Sequence, residues 1–192
     1  MIRRGLLALA LALLFLTAAC GGDDDGVAAT SDASSEVAAT SDADGGVTVT
    51  GDGFTATFPG EVERRSDPVQ VAGVTEPMSA ESSTWETDSE ALSIITTVLP
   101  PGLVDPQRVS ELLEGTAMGM GGTTDPESPL LDADGSFQGR EAVAFEVVDG
   151  DLVTSGVAFQ DGDRLVQVLH LGRVGEESDR LEVLLDGFSF TG

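Results

Sequence analysis

The chain has 192 residues, and its 9 basic and 34 acidic side chains give a formal charge of -25 at neutral pH. All the basic side chains are arginines, and tyrosine is absent. So acidic a surface repels phosphate backbones and anionic headgroups, and we therefore expect no nucleic-acid partner. Cysteine occurs once, which rules out an intramolecular disulfide.

The N-terminal residues resemble a bacterial export signal. Arg3 and Arg4 precede an uncharged run, residues 5–19, rich in leucine and alanine. This run has the length of a signal core and is shorter than the roughly 20 residues of a membrane span. It ends in Leu16-Thr17-Ala18-Ala19-Cys20, which resembles the lipobox of bacterial lipoproteins. The resemblance implies cleavage before Cys20 and attachment of a diacylglyceryl group, with palmitate-type acyl chains, to its sulfur.

These features predict where the protein is located. We expect residues 1–19 to be a lipoprotein signal peptide that is removed after export. The lipid on Cys20 then anchors the chain to the outer face of the cell membrane, where two or more acyl chains hold it stably. The membrane is thus a predicted partner through this lipid.

A low-complexity segment follows the cysteine. Residues 21–46 contain only Gly, Asp, Val, Ala, Thr, Ser and Glu, and the heptapeptide that begins at Val27 recurs at Val37. Such a composition buries too little apolar surface to offset the entropy of ordering. We therefore predict that residues 20–46 are the lipidated cysteine and a flexible acidic linker, with a root-mean-square span of roughly 28 Å.

The remaining residues, 47–192, are predicted to form one folded domain that begins with strands. Residues 54–58 alternate apolar and polar side chains and end at Pro59-Gly60, which is typical of a strand and a turn. A second strand includes Trp85, and residues 92–99 form a third, stopped by prolines.

A helix is predicted next, from the N-cap Asp105 to Met120. Asp-Gly turns at residues 134–135, 149–151 and 161–163 then predict a meander of hairpins. A second helix carries Leu181, Leu184, Leu185 and Phe188 on one face and ends at Asp186-Gly187, before a short last strand. The order predicts an α+β fold, an antiparallel meander flanked by two main helices.

Several short motifs resemble the PsbP-like superfamily, which includes Mog-type and LpqN-like proteins. The motifs are Phe54-x-x-x-Phe58-Pro59-Gly60, Gly139-Arg140-Glu141, the hairpin at Gly162 and the C-terminal Asp186-Gly187-Phe188-Ser189-Phe190. The usual aromatic residue on the second-last hairpin strand is here Val166 or Val168. The resemblance, over residues 52–190, implies a sheet flanked by helices that binds proteins rather than catalyses a reaction.

The residue inventory disfavours catalysis. His170, the sole histidine, lies on a predicted strand among valines, where a packed residue is commoner than a base. No Gly-x-Ser-x-Gly motif is present, and lysine and tyrosine are absent as nucleophiles or bases. We therefore predict that the protein is not an enzyme.

No cofactor or metal site is predicted either. Asp132-Ala-Asp134-Gly135 is similar to the start of a calcium loop, but Ser136 and Val143 stand where an EF-hand needs acids. Arg140, Glu141 and Arg164 are expected to make ordinary ion pairs on the sheet. Trp85 is interpreted as a core residue, with an interface anchor as the alternative.

The sequence leaves more than one function open. The first hypothesis is a membrane-anchored, non-catalytic module of the cell envelope that binds another envelope protein. The alternative is a carrier of a small molecule or lipid, with an apolar cleft between sheet and helices. Apolar residues on both faces of the strand at 164–171 agree with either hypothesis.

Overall fold

Antiparallel β-sheet dominates the part of the chain that the computed structural model describes. That part comprises residues 39–41, 45–51, 53–69, 77–100, 114–115, 121–176 and 178–191. The strands are Ala39–Ser41 (β1), Val47–Thr50 (β2), Phe54–Phe58 (β3), Glu63–Val69 (β4), Met78–Glu86 (β5), Ala91–Val98 (β6), Thr123–Thr124 (β7), Ser136–Phe137 (β8), Arg140–Asp149 (β9), Leu152–Asp161 (β10), Arg164–Arg173 (β11) and Ser189–Phe190 (β12). A helix, α1, spans Arg180–Asp186.

The strands form a large and a small sheet. The large sheet has the order β4-β5-β6-β11-β10-β9-β7, and β8 pairs with β9. The small sheet has the order β1-β2-β3-β12. Every described pair of strands is antiparallel. The last strand closes the small sheet on an early one, because Phe190 lies opposite Phe54.

Two tight hairpins build the centre of the large sheet. Gly150 and Gly162 each take the first position of a two-residue loop, with φ of +63° and +61°. A type II′ turn requires this conformation, which glycine adopts without strain. The hairpins predicted at residues 149–151 and 161–163 are therefore confirmed, and they set the register of β9, β10 and β11, whereas Asp134-Gly135 forms a turn before β8.

The central strand β11 carries a buried apolar cluster on each face. Val166 and Val168 belong to a core that also contains α1 and the small sheet. Leu165 and Leu169 belong to a second cluster on the opposite face. Since successive side chains of a strand point to opposite faces, the apolar residues that β11 carries on both faces reflect burial on both sides. The prediction that this strand has apolar residues on both faces is confirmed.

Helix α1 seals the first of these cores. Leu181, Leu184 and Leu185 are buried, as their spacing predicts. The helix ends at Asp186, and the N–H of Gly187 bonds the carbonyl oxygen of Val183 at 3.1 Å. The predicted C-terminal helix and the short strand after it are confirmed.

The predicted fold class, α+β with two main helices, is wrong. Of the described residues, 58% are in strands and 7% in helix, so the architecture is mostly β. Several segments without clear alternation are strands, among them the polar β4 at one end of the large sheet. Because β4 is exposed along most of its length, its sequence lacks the apolar alternation from which strands are predicted.

Several predictions fall on residues that the structure does not describe. They are the signal peptide at 1–19, Cys20, most of the linker and the helix predicted at 105–120, apart from residues 114–115, which are helical. Strand β1 lies inside the range predicted as linker and pairs with β2, Ala39 standing opposite Val49. The folded part thus includes at least these residues before position 47.

Candidate functional site

The sole histidine meets a carboxylate from a distant part of the chain. The Nε2 atom of His170 lies 3.3 Å from Oε2 of Glu90. Both side chains are mostly buried, with exposed fractions of 10% and 18%. Ser178 and Arg180 reach the same carboxylate, and we call these four residues the Glu90 cluster.

Three elements position the cluster. Glu90 ends the tight turn between β5 and β6, where the hydroxyl of Thr87 accepts hydrogen bonds from the N–H groups of Ser89 and Glu90. His170 lies on β11 opposite Leu92, the second residue of β6. The approach to α1 supplies the other members, because Ser178 precedes the helix and Arg180 is its first residue.

Arginine is the strongest partner of this carboxylate. The Nε atom of Arg180 lies 2.6 Å from Oε1 of Glu90, which leaves Oε2 for His170 and for the hydroxyl of Ser178 at 3.3 Å. Charge-assisted hydrogen bonds of this kind are stronger than neutral ones. Because Arg180 is 41% exposed, solvent weakens the ion pair, and we expect it to contribute no more than about 1 kcal/mol.

The guanidinium also stacks on the single indole. The central carbon of Arg180 lies 4.8 Å from the ring centroid of Trp85, within the range of cation–π attraction. Trp85 is half-buried and packs against the main core, in line with its interpretation as a core residue. Gly60 leaves room for the indole, because a Cβ there would lie 3.0 Å from Nε1 of Trp85.

The arrangement of the cluster differs from that of a catalytic relay. Nucleophilic catalysis by serine needs a hydrogen bond from the hydroxyl to a base. Here the hydroxyl of Ser178 donates to Glu90, the same carboxylate that His170 contacts. The cluster therefore joins α1, β11 and the β5–β6 turn, and its polar groups satisfy one another.

A second polar contact closes the C-terminal strand onto the large sheet. Nε of Arg140 donates to Oδ1 of Asp161 at 2.7 Å, and its guanidinium carbon lies 3.2 Å from the ring centroid of Phe190. The predicted surface ion pair of Arg140 thus forms with Asp161, and it also covers an aromatic ring. This contact lies between β9, β10 and β12.

Three phenylalanines of the sequence motifs, Phe54, Phe188 and Phe190, form one aromatic group with Phe137 and Phe159. Phe54 stacks on Phe188 with centroids 5.3 Å apart, and Phe159 contacts Phe188 and Phe190 edge to face at 5.5 Å and 5.4 Å. Phe137 stacks on Phe159 at 5.2 Å. Residues from both ends of the domain therefore pack together here.

In the acidic loop at residues 132–138, which is not predicted to bind calcium, the carboxylates accept hydrogen bonds from neighbouring residues of the loop. Oδ1 of Asp134 accepts from the hydroxyl of Ser136 at 2.7 Å and from its N–H at 3.1 Å. Oδ2 of Asp132 accepts the N–H of Gln138 at 3.0 Å. The hydroxyl of Ser136 lowers the pKa of Asp134 below its ordinary value, because these hydrogen bonds favour the charged carboxylate.

Within the described ranges, no three or more His, Cys, Asp or Glu side chains are placed to hold a metal ion. No helix in the same part of the chain is long and apolar enough to cross a bilayer.

Sequence reasoning singled out His170, Trp85 and Arg140 but missed their partners. Glu90 lies 80 positions from His170 and 88 from Ser178, so no local spacing joins them. The turn that presents Glu90 has a weak local signal, a threonine three residues before it. Comparison of the chain with protein-family models, curated proteins and solved structures gives no match.

Proposed function

We propose that this protein is a lipoprotein of the cell envelope, anchored outside the cell membrane, whose folded domain is a non-catalytic module that binds another envelope protein. The observation that carries the anchor is the position of Cys20, directly after Ala18 and Ala19 at the end of an uncharged run. The lipid on this sulfur supplies membrane attachment, and the domain faces the extracytoplasmic space.

The polar groups of the domain support a binding module rather than an enzyme. The one histidine shares its carboxylate with Arg180 and Ser178, so the carboxylate is engaged within the fold. Acidic side chains far outnumber basic ones. An acidic surface favours association with a partner protein that presents a complementary basic face.

The anchor is tested by metabolic labelling with a palmitate analogue in the bacterial host. We expect the native chain to take up the label and to fractionate with membranes. Cys20→Ser should lose the label. A matched control, Cys20→Ser combined with Ser35→Cys, restores a thiol away from the lipobox and should also remain unlabelled. Labelling of either variant would contradict the anchor.

The partner is tested by native mass spectrometry of the lipidated protein, extracted from its own membranes in mild detergent. The expected result is a stoichiometric second polypeptide. The alternative function, a small-molecule or lipid carrier, draws on the apolar residues that β11 places on both faces of the large sheet. Extra mass of a few hundred to about a thousand daltons beyond the anchor would favour that carrier and contradict the binding module.

A further inference from the structure

The large sheet ends in an exposed strand. β4 lies at the end of the strand order and has seven residues, whereas the strands at the other sheet edges, β7, β1 and β12, have two or three. Residues 65–68 are all exposed, so side chains on both faces of β4 reach solvent. An edge strand presents backbone N–H and C=O groups to which another strand can bond. β4 is therefore the longest such edge in the described part of the chain.

A proline shows which backbone groups of β4 point outward. Pro68 lies opposite Ser79 on β5 but has no N–H, so this pair cannot exchange two hydrogen bonds. Hydrogen-bonded and non-hydrogen-bonded pairs alternate along an antiparallel ladder. Asp67 therefore forms a hydrogen-bonded pair with Ala80. The N–H and C=O groups of Ser66 then point away from β5, toward the outer edge.

β4 is electrically neutral although the chain is strongly acidic. It carries two arginines and two acidic residues, whereas the whole chain has a formal charge of -25. Repulsion between like-charged surfaces acts over a Debye length, about 8 Å at physiological salt. A neutral strand therefore lets two copies of this chain approach with less repulsion than an acidic surface does.

Charge favours one antiparallel register for two copies of β4. The outward-pointing residues of both strands must face each other, so the two-fold axis passes through a residue rather than between two. An axis at Ser66 pairs the N–H and C=O of this residue with those of the second copy. It also places Arg65 of each copy directly opposite Asp67 of the other, and such opposite charges stabilise paired strands.

The other registers centred on residues 64–68 are disfavoured. An axis at Arg64, Arg65 or Asp67 puts a charged side chain opposite its own copy, where like charges destabilise the pair. An axis at Pro68 aligns two residues that have no N–H. Charges and proline commonly protect an edge strand from pairing, and here they leave a single register open.

The side chain of Arg65 is held where this contact requires it. Its Nε and Nη2 atoms donate to Oε1 of Glu63 at 3.0 and 2.8 Å. Glu63, Arg65 and Asp67 share one face of β4, because side chains of a strand alternate. Arginine has five N–H donors, so Nη1 can meet a second carboxylate. Arg65 is thus placed to bridge Glu63 of its own chain and Asp67 of the other.

We propose that two copies of this chain pair through their β4 edges, antiparallel and with the two-fold axis at Ser66, so that the large sheet continues across a dimer. This inference goes beyond the proposed envelope function, because it uses only β4 and neither the lipid anchor nor a different partner protein. Failure of one proposal therefore leaves the other standing.

The test is native mass spectrometry of the full chain carrying Cys20→Ser, in mild detergent and over a concentration series. We expect a dimer. Asp67→Arg sets arginines opposite each other and Arg65→Asp sets aspartates opposite each other, so each variant alone should show a dissociation constant at least about tenfold higher. An equimolar mixture of the two variants should form a heterodimer, because each arginine then meets an aspartate.

A matched control separates this interface from a general effect of charge. Asp88→Arg makes the same change of charge in the exposed turn between β5 and β6, and it should dimerise like the parent chain. All variants share residues 1–19, so association through that apolar run would be equal in all of them.

A single cysteine tests the register. In the Cys20→Ser chain, Ser66→Cys supplies the only thiol, and the proposed axis sets its two Cα atoms about 5.5 Å apart, within reach of a disulfide. We expect a covalent dimer under mild oxidation. Ser89→Cys is the control, because Ser89 is exposed in the turn between β5 and β6 and should not crosslink.

Three results would overturn the proposal. A parent chain that stays monomeric at every concentration would exclude the dimer. Dimers that survive both charge reversals, or a mixture of the two variants that stays monomeric, would exclude the pairing of Arg65 with Asp67. Equal crosslinking of the two cysteine variants would exclude the axis at Ser66.

Discussion

At the scale of single residues, Glu90 joins parts of the fold that lie far apart in the sequence. Its carboxylate bonds a strand residue, His170, and two residues at the start of α1, Ser178 and Arg180. These contacts span 80 to 90 positions of sequence, so each closes a long loop of chain. The carboxylate matters because its removal leaves partly buried donors without an acceptor.

We expect Glu90→Ala to lower the free energy of unfolding by about 1–2 kcal/mol, since hydrogen bonds to a charged group are lost at a partly solvated site. Urea denaturation measures this change. Asp88→Ala is the control, because Asp88 lies exposed in the same turn and should change stability by less than about 0.5 kcal/mol. Equal effects of the two substitutions would mean that the cluster does not stabilise the domain.

Asp134 provides a second prediction, on pH dependence. Its pKa is lower in the folded protein than in the unfolded chain. The stability that this group contributes is therefore present above its unfolded pKa and is lost as pH falls through the folded value. Ser136→Ala should raise the pKa of Asp134 toward the ordinary value, as measured by carboxyl ¹³C chemical shifts across a pH titration. An unchanged titration midpoint would contradict the assigned cause.

At the scale of elements, adjacent residues of α1 have contrasting roles. Leu184 is 1% exposed in the core, whereas Val183 is 60% exposed. Leu184→Ala should cost about 2–5 kcal/mol by leaving a cavity under the helix, and Val183→Ala should cost less than about 0.5 kcal/mol. Thermal and urea unfolding of both variants check this contrast. Similar losses would mean that α1 does not pack as described.

The elements that could be predicted from the sequence are those whose own residues carry a clear structural pattern. Residues 54–58 alternate, Gly150 and Gly162 supply the turn conformation, and the leucines of α1 repeat at helical spacing. The polar edge strand β4 and the two-residue strands β7 and β8 have no such cause, since pairing with a neighbour makes them strands. These pairings add strand residues that the sequence does not predict.

The candidate site was less predictable than the elements. His170 and Trp85 could be singled out as the only residues of their type, and Arg140 through a motif. Their partners Glu90, Arg180 and Asp161 come from other elements, and a single sequence carries no signal for such long-range contacts. The sequence therefore identified residues with distinctive side chains, but not the residues that they contact.

At the scale of the whole molecule, two buried layers share one sheet. The first face packs on α1 and the small sheet, and the second carries another cluster of buried apolar residues. With both faces of β11 buried, the large sheet is the central layer of the domain. The acidic side chains then lie on the outer surfaces, where a partner protein would meet them.

The pairing of Phe190 with Phe54 has a consequence for when the chain can complete its fold. The small sheet lacks its closing strand until the last few residues are available, and ordering so long an intervening chain delays folding. A polypeptide threaded N-terminus first through a narrow channel therefore stays incompletely folded during transit. On the export that we propose, the pairing of Phe190 with Phe54 is completed only after residue 190 has left the channel.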